Sequence, residues 1–339
     1  MATIVRSNRR NSFRCIYLPA VLLFFSSVSA YSQSPAGQSP PPGPAGQSAI
    51  FAKTELVVLP VSVTDASGHF VSGLSLPNFR VYENGRLQEV AVFQQGDTPV
   101  TVGLIVDHSR SMGPKLPEVT AAVSDFAQSS NPQDEMFVVD FNDDVSVELM
   151  DGKAFTSDPQ VLARAVFSVR ARGRTALYDA VAEGLIHLQL GHWDKKALIV
   201  VSDGGDNASQ QKYSRVLAMA QRSQAAIYCV GLVDTVDTIE NDEENPGVLR
   251  RLSKDTGGIA FFPTSSESIA DISKRIARDL REQYTLGFVP EKSDTTDSFR
   301  QVRVKVVFPG HGKLHVRTRS GYFRSEQKHA SAKPGKGAS

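Results

Sequence analysis

Cysteine is nearly absent from this chain: among 339 residues there are two, Cys15 and Cys229. Cys15 stands at the head of an apolar N-terminal run that reads as a leader. Its removal leaves one thiol, so no internal disulfide can form and the fold must rest on its core. Cys229 lies in Ala226-Ile227-Tyr228-Cys229-Val230, a run that reads as a buried strand, which makes it a small core residue rather than a reactive thiol. An excess of either charge is also lacking. The 37 Lys and Arg against 36 Asp and Glu leave a net charge of +1, which offers no electrostatic case for nucleic acid or an anionic membrane as partner. Basic residues look scattered, apart from the N-terminal arginines and a short carboxyl tail. The seven histidines form no H-E-x-x-H and no Cys/His cluster, which argues against zinc chemistry. There is no G-x-S-x-G elbow and no phosphate-binding glycine loop. No segment after the first 30 residues is apolar for long enough to span a bilayer.

What is present divides the chain into six parts. Residues 1–30 read as a secretory signal peptide. Arg6, Arg9, Arg10 and Arg14 form a basic region, Ile16 to Phe25 an apolar one, and Val28-Ser29-Ala30 a small-x-small cleavage site. An uncleaved anchor is the alternative, but the apolar run is shorter than the ~20 residues a spanning helix needs. Export to periplasm, cell surface or medium follows. Residues 31–49, rich in Pro, Gly, Ser and Gln, read as a disordered linker, and residues 325–339 as a disordered tail.

Residues 50–97 read as β-structure, with strands at Leu56–Thr64 and Phe79–Glu83. Asn84-Gly85 is a hairpin turn, and Gln88–Phe93 is the returning strand. Residues 98–283 alternate strands with helices. That pattern predicts a doubly wound, mostly parallel α/β sheet with helices on both faces. Residues 284–324 return to β, with clear alternation in Gln301–Val307. Neither β flank is long enough to stand alone, so the two are expected to pack together as one small module around the inserted α/β domain.

The most informative feature is Asp107-His108-Ser109-Arg110-Ser111, directly after the apolar run Val102–Val106. A short apolar run bounded by turn residues reads as a buried parallel strand. The carboxylate and two hydroxyls then sit at its carboxyl end, the edge where open α/β sheets bind ligands. Oxygen donors on alternate residues suit a hard divalent cation such as Mg²⁺. Two further segments point to the same edge. Gly173-Arg174-Thr175 places a threonine just before a helical pattern, and Ala197–Ser202 is a second apolar strand followed by Asp203.

The set Asp107, Ser109, Ser111, Thr175 and Asp203 resembles the metal-ion-dependent adhesion site of von Willebrand factor type A domains, and the resemblance covers residues 98 to 284. It implies a Rossmann-like fold. It implies hydroxyls of Ser109, Ser111 and Thr175 on the metal, with Asp107 and Asp203 acting directly or through water. The flanking β pattern resembles an exported bacterial subgroup of such proteins. The cation expected is Mg²⁺, with Mn²⁺ or Ca²⁺ as alternatives. The partner expected is a protein or peptide offering an Asp or Glu carboxylate, with no nucleic acid and no membrane insertion after signal removal. In the wider family partner binding can couple to a shift of the last helix.

Other groups have plainer readings. Asn142, Asp143 and Asp144 form a hairpin turn rather than a second ion site. Asp237, Glu240, Asp242, Glu243 and Glu244 read as a solvated acidic loop; it leaves a strand at its carboxyl end, so the alternative is that it rims the metal site and repels acidic ligands. Asp206 and Asn207 either orient the metal loop or serve turn chemistry. His108 and Arg110 have no assigned role. Two rival functions stay open: a Mg²⁺-dependent hydrolase or phosphoryl-transfer enzyme using Asp107, and a scaffold with a vestigial site. The first is disfavoured because such sites want a second carboxylate near the first, and the residue two places on is Ser109.

Overall fold

The computed structural model describes residues 56–147, 149, 152–233, 245–263, 268–290, 299–310 and 312–323. The expected leader, linker, acidic loop and carboxyl tail lie outside them. The first stretch carries β1 (Val57–Thr64), β2 (Phe79–Glu83), β3 (Arg86–Gln88), β4 (Val90–Gln95) and β5 (Thr101–Asp107). Then follow α1 (Leu116–Ser129), β6 (Glu135–Phe141), β7 (Val145–Val147), α2 (Pro159–Ser168), α3 (Leu177–His187) and β8 (Lys196–Ser202). The α/β part closes with α4 (Tyr213–Ser223), β9 (Ala226–Gly231), α5 (Pro246–Thr256), β10 (Ala260–Phe261) and α6 (Ile269–Glu282). Last come β11 (Tyr284–Phe288), β12 (Phe299–Val306), β13 (His315–Arg317) and β14 (Gly321–Phe323).

Six strands form the central sheet, in the order β10-β9-β8-β5-β6-β7. All neighbours are parallel except β7, which returns antiparallel to β6 through the Asn142-Asp143-Asp144 turn. Every residue of β5 is buried, as a strand covered on both faces requires. Leu104, Ile199, Val201 and Val230 meet α1 and α6 on one face. On the other, Gly184 of α3 lies against Ile105 and Leu198. Local signals place the helix ends. The Asp158 carboxylate caps α2 by accepting from the Gln160 N–H at 2.8 Å, beside a first-turn proline. Gly257 ends α5 in the left-handed conformation, at φ 85°. α4 begins only at Tyr213; Ser209, before it, accepts from the Asp179 N–H of α3 and donates to Asp206.

The order of the central sheet positions the site. From β5 the chain winds outward to β6 and then crosses back to β8 on the opposite side of β5. The carboxyl end of β5 is therefore the point where the winding reverses and a crevice opens.

The flanking strands form two antiparallel four-stranded sheets, ordered β13-β1-β11-β4 and β14-β12-β2-β3. Val57 pairs with Phe288 and Val61 with Tyr284, so residues before and after the α/β domain share one sheet. A second core lies between the sheets, with Leu59, Val61, Phe79, Val81, Tyr284, Leu286 and Phe288 buried in it. The hairpin at Asn84-Gly85 forms, with φ 47° and 82° at its two turn residues. Its returning strand is shorter than expected. Gln88 is the last residue paired with β2, and Val90–Gln95 crosses to the other sheet to pair with β11. A two-residue alternation is the same on either sheet, so the crossing left no mark in the pattern.

Candidate metal site

Asp107 is the last residue of β5 and fully buried. Its Oδ1 accepts from the Ser109 N–H at 2.8 Å, which turns the chain sharply and presents Ser109 to the same edge. Its Oδ2 accepts from Ser202 Oγ at 2.6 Å. Ser109 and Ser111 hydroxyls lie 3.2 Å apart, and Ser111 Oγ donates to Asp203 Oδ2 at 2.7 Å. The other oxygen of Asp203 accepts from the Gly205 N–H at 3.2 Å. Asp107, Ser109, Ser111 and Asp203 thus form one continuous cluster of oxygens across the ends of β5 and β8.

Thr175 reaches this edge from the β6 side and is held by backbone. Its N–H donates to Asn207 Oδ1 at 2.9 Å, and its carbonyl accepts from the N–H groups of Asn207 and Ala208 at 3.0 Å each. The Arg110 N–H donates to the Gly173 carbonyl at 3.4 Å, which joins the threonine loop to the serine loop. Among the described residues no hydrogen bond links the Thr175 hydroxyl to the other four. Gly173 makes the approach feasible. It sits at φ 72°, and a Cβ there would stand 1.8 Å from Asp143 Oδ2.

Burial pushes the Asp107 carboxyl up to about 6; the hydrogen bonds from Ser202 and Ser109 work against this, and the nearby Asp203 carboxylate adds to it. Among the described residues no Lys, Arg or His pairs with Asp107 or Asp203. Two neighbouring buried carboxylates without basic counter-charge are costly on their own. Their charge and the three hydroxyls suit a hard divalent cation that prefers oxygen, so these residues fit such an ion. Among the described residues no three His, Cys, Asp or Glu side chains gather at metal-binding distance. A donor set of two carboxylates and hydroxyls is consistent with that.

Several supporting residues carried little signal in the sequence. Ser202 reads as a plain strand residue, yet its inward hydroxyl holds Asp107; its only mark is a polar residue ending an apolar run. His108 is fully buried, with ring nitrogens 3.2 Å from the Val106 carbonyl and 3.0 Å from that of Val166 in α2. It lies 3.4 Å from Asp140 as well. Burial pushes its pKa down, against the pull of both carbonyls. It braces the metal loop against α2. Asp206 accepts from the Tyr178 N–H at 3.2 Å, so both Asp206 and Asn207 hold the start of α3. Asn142 accepts from the Asp144 N–H at 3.0 Å, which is turn chemistry, and Asp143 pairs with Arg174 of the threonine loop at 2.9 Å.

Residues 102–275 match the von Willebrand factor type A domain, and the chain belongs to that family. Among solved structures it is similar to a von Willebrand factor type A protein from Catenulispora acidiphila, at 14% identity and TM-score 0.47 over 76% of each chain. It is also similar to an aerotolerance-related membrane protein from Bacteroides fragilis, at 18% identity and TM-score 0.42, covering 53% of this chain and 98% of that one. A third is the vWF domain of the type V pili tip protein Mfa5 from Porphyromonas gingivalis, at 13% identity and TM-score 0.42, covering 60% and 100%. No curated protein matches the chain. Among the described residues no helix is long and apolar enough to cross a membrane.

Proposed function

We propose that this is an exported, metal-dependent binding protein rather than an enzyme. Asp107, Ser109, Ser111, Thr175 and Asp203 would hold Mg²⁺, with Mn²⁺ or Ca²⁺ as alternatives, and a protein or peptide partner would offer an Asp or Glu carboxylate. A cation held by neutral hydroxyls and two carboxylates keeps electrophilic character and supplies a position for one more anionic oxygen. The chain's own residues do the rest. Ser202 and the Ser109 N–H fix both oxygens of Asp107, Gly205 fixes Asp203, and Asn207 fixes Thr175.

The observation that carries this reading is the pair of buried carboxylates, 0% and 1% exposed, bridged through Ser109 and Ser111 with no basic group between them. An enzyme would need a nucleophile or base facing a substrate cavity. Here both oxygens of Asp107 are already engaged, by Ser202 and by the Ser109 N–H. Calorimetric titration of the protein with Mg²⁺ and Mn²⁺, with Asp107→Ala as control, tests the reading. Saturable binding lost in the variant is the expected result. No binding to the folded wild type overturns it.

A further inference from the structure

Arginines that look scattered along the sequence gather at the metal edge. Arg110 lies between Ser109 and Ser111. Arg170, Arg172 and Arg174 occupy alternate positions in the loop that leads to Thr175. The two loops are joined backbone to backbone: the Arg172 N–H donates to the His108 carbonyl at 2.8 Å, in addition to the Arg110–Gly173 bond. Gly113 and Ala171 also stand against each other. Arg174 is spoken for, since its Nε and N–H bond the two oxygens of Asp143 at 2.9 and 3.1 Å. Arg110, Arg170 and Arg172 are exposed, and their guanidinium groups have no hydrogen bond or ion pair among the described residues.

Among the described residues, the acidic groups on the β6 side of this edge do not balance them. Asp107 and Asp203 belong to the cation. Asp143 is paired with Arg174 and lies within electrostatic reach of Arg172, and Asp179 and Asp206 are engaged by N–H groups and Ser209. Asp144, in the turn after β6, is exposed as well. The cationic loops also lie to one side. Ala176 N–H donates to the Asn142 carbonyl just beyond β6, at 2.9 Å, whereas Asp203 lies at the end of β8.

From this juxtaposition we infer that the partner is an acidic peptide segment: the carboxylate that meets the metal is flanked, on the side that runs toward β6, by further Asp or Glu residues that pair with Arg110, Arg170 and Arg172. The inference rests on the metal-dependent reading above and adds the partner's class to it. Guanidinium groups match carboxylates through paired parallel hydrogen bonds. Three of them beside one metal position discriminate an acidic segment from a lone carboxylate. Like charges set in this way also speed encounter with an oppositely charged partner and exclude basic ones.

The test uses fluorescence anisotropy with labelled Gly/Ser peptides of equal length. One carries a single Asp; two others add three Glu before or after that Asp. The full chain is compared with Arg110→Gln/Arg170→Gln/Arg172→Gln and with Asp107→Ala, each in Mg²⁺ and in EDTA. One Glu-flanked peptide is expected to bind wild type about tenfold more tightly than the single-Asp peptide at low salt. That advantage should shrink as salt rises and vanish in the triple variant, which still binds Mn²⁺ by calorimetry. Metal-dependent binding of all three peptides with equal affinity, or an advantage kept by the triple variant, overturns this inference and leaves the metal reading intact. Binding of the Glu-flanked peptides that persists in EDTA and in Asp107→Ala overturns the metal reading and this extension with it.

Discussion

Removing the Asp279 carboxylate should separate the two cores of this protein more effectively than any other single side-chain deletion at their boundary. Asp279 lies in the last helix, α6, and is 2% exposed. It accepts from Ser62 Oγ at 2.7 Å and from Tyr228 Oη at 2.6 Å, and from Arg317 Nη2. Ser62 belongs to β1, Arg317 to β13 and Tyr228 to β9, so one carboxylate ties a helix and a strand of the α/β domain to two strands of the β-sheets. Gln283 completes the group by donating to Tyr228 Oη at 2.9 Å. Asp279→Ala leaves a guanidinium, a phenol and a hydroxyl short of an acceptor, at a junction where the Arg317 side chain keeps 26% of its surface exposed. Breaking a fully buried ion pair from one side costs about 3–5 kcal/mol, and the partial exposure of Arg317 puts this loss at or below the lower end. Urea unfolding of the full chain measures this, followed by far-UV circular dichroism and by the fluorescence of Trp193, the single tryptophan. Adding Arg317→Met should recover much of the loss, because the stranded charge goes with it. A loss below about 1 kcal/mol, or a double variant whose losses simply add, would refute the argument that an uncompensated buried charge sets the magnitude.

Three further outcomes follow from the geometry. Ser202→Ala removes the 2.6 Å bond to Asp107 while leaving the proposed donors in place, and should weaken Mn²⁺ affinity about tenfold by calorimetry, as loss of ligand-orienting partners does. Burial holds the Asp134 carboxyl at about 6, above its unfolded value, so the native state takes up a proton first on acidification. Stability relative to Asp134→Asn should therefore rise, by about 3 kcal/mol at most, as pH falls from roughly 6 to 4, and denaturant titrations across that window would show it. The Cys229 thiol is buried and pushed up to about 12, so a thiol reagent should label the protein only on unfolding; rapid labelling of the native protein would show that the β9 strand opens locally.

How much of this was readable in the sequence depended on whether the signal was local. The run Val102–Val106 followed by Asp107, Ser109 and Ser111 is local, and so is Ala197–Ser202 before Asp203. Apolar period and strand-end position were enough to put these oxygens on one sheet edge. The departures are all long-range. Ser202 touches Asp107 across 95 positions of chain, and a serine at a strand end carries no mark of its partner. His108 lies between two of the oxygen donors with no role of its own in the pattern, and α2 meets its ring through the Val166 carbonyl, a contact its neighbours do not announce. Arg110 and Arg172 lie far apart in sequence and meet because β5 and the turn before α3 end at the same edge. The division of Arg86–Gln95 between two sheets arises because Val90–Gln95 pairs with β11, nearly 200 residues downstream, while Arg86–Gln88 stays with β2, which a two-residue alternation does not encode.

The pairing of β1 with β11 also has a mechanical consequence. The chain enters the α/β domain after β4 and leaves it into β11, and these two strands are neighbours in one sheet. A pull applied near Val57 and Phe323 would load the antiparallel ladders joining β1 to β11 and β12 to β14 before it reached the inserted domain. The metal edge hangs from the strained path as a side branch, not as a link in series. A tethered molecule of this design can bear tension through its β-sheets while its binding edge keeps its shape. Extension of the α/β domain would begin only once the Val57–Phe288 ladder had come apart.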